Sequence, residues 1–149
     1  MSSTVRHAAL QILRTVQAQR LDLANALAQI RPKLIDKRDR ALVTEIVVGT
    51  LRWRAKLDFI IQKASSRSLD RIDRDLLDLL RLSAYQLLHL DRVPPHAVVH
   101  EAVNLAAQLG KKSAAPFVNA VLRTIERTME SQQLPARPND LEKTDRSQI

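Results

Sequence analysis

The chain has 149 residues, 45% of them hydrophobic, enough for one domain that withdraws roughly 70% of its unfolded surface from water. It carries no cysteine, which excludes disulfides, thiolate metal sites and a cysteine nucleophile and fits a reducing, cytoplasmic setting. A net charge of +8 and a pI near 10.6 make nucleic acid the first partner to consider, and two glycines are too few for the Gly-rich cradles that hold ATP, NAD or S-adenosylmethionine, so no cofactor is expected.

The basicity is concentrated early: residues 1–56 hold 11 Lys and Arg against 4 Asp and Glu, whereas residues 57–110 hold 6 against 7. No apolar run is long or unbroken enough to span a bilayer, and no membrane is expected. Val5, Ala8, Ala9, Ile12, Leu13 and Val16 recur at helical spacing and predict a first helix. His7, Gln11 and Arg14 fall on another face, with Arg6 beside them. Near a helix N-terminus such a face can bind phosphate, because unpaired backbone donors point the same way; it can equally be a solvated surface.

A second, shorter helix is expected over residues 21–30, limited by Pro32 because the residue before a proline avoids the helical region. Asp36 or Asp39 then opens a third helix, largely buried through Leu42, Val43, Ile46, Val47, Gly49 and Thr50. Its mid-helix glycine marks a place where another helix comes close. The run Arg52, Trp53, Arg54, Ala55, Lys56 sets three cations around the only Trp, the form of a stacking platform for single-stranded RNA. Trp53 is also in phase with Leu42, Ile46 and Gly49, and that phase predicts a core position. Leu57, Ile60 and Ile61 carry a fourth helix into the polar stretch at residues 65–68.

Over residues 73–90 leucines crowd almost every side of a fifth helix, which must therefore be wrapped by the others. Asp73 is placed to cap it, and its acids favour the positive end of the dipole. Pro94 and Pro95 start a sixth helix whose buried side is Val98, Val99, Ala102, Val103, Leu105, Ala106 and Leu109, with Gly110 as its stop. His96 and His100 stand four apart, the spacing of a helical metal pair, but Ala97 stands where a zinc-protease pattern needs Glu, and no metal is expected. With Glu101 they supply the residue types of a hydrolase and no nucleophile.

Lys111 and Lys112 precede Ser113, read as the N-cap of a last helix with Phe117, Val118, Val121, Leu122, Ile125 and Met129 inward. The two lysines make a second candidate phosphate site. Asn119, Arg123 and Arg127 form a ridge that can serve such a site or be structural, with Asn119 satisfying a buried backbone group. Residues 131–149 read as a disordered tail or the start of a linker, which leaves residues 1–130 as the folded domain.

Three blocks, DRALVTEIVVGTLRW (residues 39–53), LLRLSAYQLLHLDRVPPHAVVHEAVNLA (residues 79–106) and PFVNAVLRTIER (residues 116–127), resemble the NusB-like RNA-binding domain. That domain occurs alone as an antitermination factor and at the N-terminus of the RsmB (Sun/Fmu) ribosomal RNA cytosine-C5 methyltransferases. GTLRW and FVNAVLR lean toward the methyltransferase branch. The resemblance implies an all-α bundle of about seven helices in two packed subdomains, helices one to three and four to seven. It implies a non-catalytic domain acting in rRNA modification or transcription antitermination, since the methylation chemistry of that family uses a Cys absent from this chain. RNA contacts are implied at the start of the first helix and of the last, here Arg6, His7, Lys111, Lys112 and Ser113; Arg14, on the same face as His7, joins them as a candidate by its position. RNA, either rRNA or a nascent transcript, is the expected partner, with a ribosomal or transcription-complex protein as a second. The alternative reading is a protein-interaction module that binds such a partner through an exposed apolar patch.

Overall fold

All thirteen residues from 76 to 88 are buried, and everything else in the molecule is arranged around them. The computed structural model describes residues 3–34 and 36–131. Its described residues form seven α-helices: α1 Ser3–Gln17, α2 Leu23–Ile30, α3 Lys37–Arg52, α4 Arg54–Ser65, α5 Arg74–His89, α6 Pro95–Gln108 and α7 Ala115–Glu130. The fold is all-α. In one layer α1 packs on α2 and α3; in the other α4, α6 and α7 pack on one another or on α5, and α5 touches α1, α3, α4, α6 and α7. The expected tail beyond Ser131 lies outside the described residues.

Local chemistry sets the boundaries. Asp22, in extended backbone, accepts from the Asn25 amide at 2.8 Å and so starts α2 at Leu23, two residues later than the apolar pattern implied. Asp36 caps α3 and Asp73 caps α5, the latter through the amides of Asp75 and Leu76. At the end of α6 the Gly110 amide reaches the Ala107 carbonyl and the Lys111 amide the Ala106 carbonyl, while Gly110 takes φ 76°. That paired closure needs a left-handed residue, which Gly adopts without strain.

Two expectations fail here. Ser113 does not cap α7: Lys112–Ala114 form a short 3-10 turn, α7 begins at Ala115 after Ala114, and no side chain caps it. Pro116 in the first turn lacks a donor, which lessens the need for a cap. Trp53 is not a core residue. It stands at the junction of α3 and α4 with 38% of its surface exposed, because the chain turns there and the phase of α3 no longer applies.

Among the described residues, buried charge is confined to two clusters. Arg81 grips Asp58 through Nε (2.6 Å) and Nη2 (3.1 Å) and donates to Asp78 from Nη1 (3.0 Å). Burial raises the pKa of Asp78, against the opposing pull of Arg81. The second cluster, around Arg6, bears on the candidate site.

Candidate functional site

Helix α1 puts Val5, Ala8, Ala9, Ile12 and Leu13 into the core, which leaves His7 and Gln11 exposed and Arg14 half-buried on its outer side. These three, with Leu10, meet Leu105 and Gln108 of α6 and Leu109 just after it along a shallow groove of ≈ 190 Å³. Arg14 Nε donates to Asp75 Oδ1 at 3.0 Å. Lys111 Nζ lies 2.9 Å from Asp73 Oδ2. Two carboxylates, the cap Asp73 and Asp75 in the first turn of α5, thus draw one cation from the α6–α7 turn and one from α1 toward the same helix start. Both pairs are about one-third exposed, so each contributes at most about 1 kcal/mol and its effect is mainly to hold a position. Burial pushes the Asp73 carboxyl up, but Lys111 and the amides of Leu76 and Asp75 outweigh it and leave the group below its ordinary value.

Lys112 and Ser113 are exposed on the turn that follows, and Lys112 makes no ion pair among the described residues. The structure therefore places His7 and Arg14 on one groove and draws Arg14 and Lys111 to the start of α5, with Lys112 and Ser113 following Lys111 in the chain.

Arg6 is elsewhere. It is 5% exposed and donates from Nε to Gln86 Oε1 at 3.0 Å, with Nη1 3.9 Å from Glu101 Oε2. Burial lowers its pKa and Glu101 opposes that shift. The expectation of a solvent-facing Arg6 beside His7 is corrected. Adjacent residues on a helix diverge by about 100°, and Arg6 is in register with Ala9, Leu10 and Leu13, a signal the sequence contained. Its partners, 80 and 95 positions away, left none.

The remaining candidates sort by exposure. His96 and His100 are both exposed, while Glu101 turns inward to Arg6, so the three do not form one site. Among the described residues no group of three His, Asp or Glu could hold a metal, and no helix is long and apolar enough to cross a membrane. Asn119 is exposed, which overturns its suggested role with a buried backbone group; Arg123 pairs with Glu126 and Arg127 donates to Thr124. Phe117 is half-buried, and the Arg67 guanidinium lies over its ring at 4.4 Å.

Trp53 has partners that the sequence reading missed. Its indole stacks on His89 with centroids 5.2 Å apart and planes 20° from parallel, and His89 stacks on Tyr85 at 5.0 Å and 26°. The spacing of Tyr85 and His89, four apart on one helix, was the available signal. Lys56 Nζ sits over the indole, 4.8 Å from its centroid.

The NusB family model matches residues 3–127. Among curated proteins, the chain is 35% identical over 127 residues to the ribosomal RNA small subunit methyltransferase B of Citrobacter koseri, covering 85% of this chain and 29% of that protein. It is 43% identical over 143 residues to a Mycobacterium tuberculosis protein provisionally named a methyltransferase, covering 91% of this chain and 30% of that one. The chain spans about 30% of the length of the curated relatives it matches. Among solved structures, T. maritima NusB superposes with a TM-score of 0.78 at 25% identity, over 85% of this chain and 92% of that one. NusB in a complex of antitermination factors NusB and NusE with dsRNA superposes with a TM-score of 0.77 at 23% identity, over 85% and 96%, and shares the fold. A match over nearly all the described residues, joined to the seven-helix architecture, makes this chain a member of the NusB family.

Proposed function

We propose that this domain is a non-catalytic RNA-binding module that holds ribosomal RNA for modification, with His7, Arg14, Lys111, Lys112 and Ser113 as its phosphate-contacting set. The observation that carries the reading is the convergence of Arg14 and Lys111 on the start of α5, beside Lys112, which makes no ion pair among the described residues. Cations held in place lose less freedom on meeting phosphate than free side chains do. Relatives named as small subunit rRNA methyltransferases favour rRNA over a nascent transcript. The domain contributes binding and leaves the chemistry elsewhere, since the resemblance implies a Cys nucleophile and this chain has no Cys. Work on rRNA puts it in the cytoplasm.

The test is RNA binding by fluorescence anisotropy at low and high salt, comparing the chain with an Arg14→Glu, Lys111→Glu, Lys112→Glu triple variant whose helicity is checked by circular dichroism. Expected for the parent is an affinity that falls steeply with salt, and for the variant a shallower slope, by roughly 0.7 to 0.9 per lost phosphate contact. An affinity indifferent to salt overturns the reading.

One observation favours a second reading, a docking surface for a ribosomal or transcription-complex protein. Phe59 on α4 is 67% exposed, the most exposed large hydrophobic side chain among those described. NusE, in the solved complex with NusB, is a partner of this kind. Partner binding that survives the triple reversal and is lost on Phe59→Ser supports it.

A further inference from the structure

The second basic run of the chain leads to a different place from the groove between α1 and α6. Trp53 closes α3 and opens α4 at once: its amide donates to the Gly49 carbonyl (3.0 Å) and its carbonyl accepts from the Leu57 amide (2.9 Å). With a helix on each side, its backbone is held. Behind the indole come His89 and then Tyr85, and the Tyr85 ring rests against the bare backbone of Gly49. The three rings make a column rooted in the core and ending at the surface. A stacking contact needs such rigidity, since a ring that must first be ordered loses much of what the contact gains.

The rim of the column is cationic. Lys56 lies over the indole and forms no ion pair among the described residues; partial burial lowers its pKa, so the ammonium is poorly compensated where it stands. Arg52 is exposed and likewise makes no ion pair among the described residues. Arg54 differs, being engaged by Gln17 and Asp58.

We propose that the Trp53–His89–Tyr85 column is a stacking platform for one unpaired nucleobase, with Lys56 and Arg52 taking the phosphates that flank it. The proposal rests on the RNA-binding reading and adds a second contact to it. A base arriving on the indole displaces the Lys56 ammonium, which exchanges a cation–π contact for a charge-assisted one with phosphate. The same rim repels a cationic guest such as an arginine or lysine side chain of a protein, so the chemistry selects an anionic polymer with flat faces. A paired base has its faces covered by its neighbours in the duplex, so the occupant is unpaired. Stacking of this kind tolerates any base.

Trp53 is the only Trp of the chain, so intrinsic emission reports this one site. The experiment titrates the full chain with two labelled RNA hairpins, one with an unpaired loop and one with abasic residues in the loop, and follows anisotropy and Trp emission together. The base-bearing hairpin is expected to quench the emission and the abasic one to leave it unchanged. Trp53→Leu is expected to weaken the base-bearing hairpin roughly tenfold without affecting the abasic one, and Trp53→Phe to retain most of the affinity. Binding of both hairpins with equal affinity and undisturbed emission overturns the platform and leaves the RNA-binding reading standing. Binding of neither removes both.

Discussion

The ring of Tyr85 occupies the space that a side chain at Gly49 would need. A β-carbon built on Gly49 falls among the ring atoms Cζ, Cε1 and Oη, and the close approach of α3 and α5 depends on its absence. The glycine is helical and buried, so its value lies in room and not in backbone freedom.

Gly49→Ala is therefore expected to destabilise the fold by about 1 to 3 kcal/mol, overpacking outweighing the better helix propensity of Ala. In a Tyr85→Ala background the same substitution is expected to become neutral or stabilising, by up to about 1 kcal/mol. Urea midpoints for the four chains of the cycle measure the coupling; additive effects would mean that the two residues do not compete for one space.

Arg6 is expected to behave as a structural residue. Arg6→Ala leaves Gln86 and Glu101 without their partner in the interior, where Glu101 Oε1 already lacks a hydrogen bond. A loss of about 3 kcal/mol is expected in urea unfolding, while the folded protein keeps its RNA affinity. A stable variant with weakened RNA binding would return Arg6 to the surface set.

Asp73 and Asp78 should shift stability in opposite directions on acidification. The folded Asp73 is held below its ordinary value by Lys111 and the amides of Leu76 and Asp75, so its contribution is present above its unfolded pKa and lost as pH falls through the folded one. Asp73→Asn keeps a side-chain cap and removes the charge. It should be less stable than the parent at neutral pH by no more than about 1 kcal/mol, given the exposure of the pair, and the gap should close in acid. Asp78 is raised, so its favourable share is present below its unfolded pKa and lost as pH rises through the folded one. Thermal midpoints of Asp73→Asn and parent across the acid range check the sign.

The two kinds of ion pair should also differ in weight. Asp58→Ala strips Arg81 of its two-point partner and leaves a buried guanidinium with Asp78 alone, at an expected cost of about 3 kcal/mol. Asp75→Ala frees the half-exposed Arg14 and should cost under about 1 kcal/mol. Equal losses would show that burial does not decide the matter.

Seven helices, their approximate order of burial and the central place of α5 were legible in the residues alone, because apolar spacing reports which face of a helix must leave water. Asp73 and Gly110 were readable as well, and Asp36 as one of two candidates with Asp39, since caps and stops act on their immediate neighbours. The likeness to the NusB-like domain was readable in the three blocks that carry it. What the residues could not show was which partner takes up a charged or aromatic side chain once the helices meet. Arg6 is drawn inward by Gln86 and Glu101, Trp53 is left outside by the turn between α3 and α4 and backed by His89, and Lys111 is pulled to Asp73 from 38 positions away. Helical periodicity is a local property and survives in the sequence. The partner that satisfies a buried charge or supports an exposed ring is non-local, and only the tertiary structure decides it.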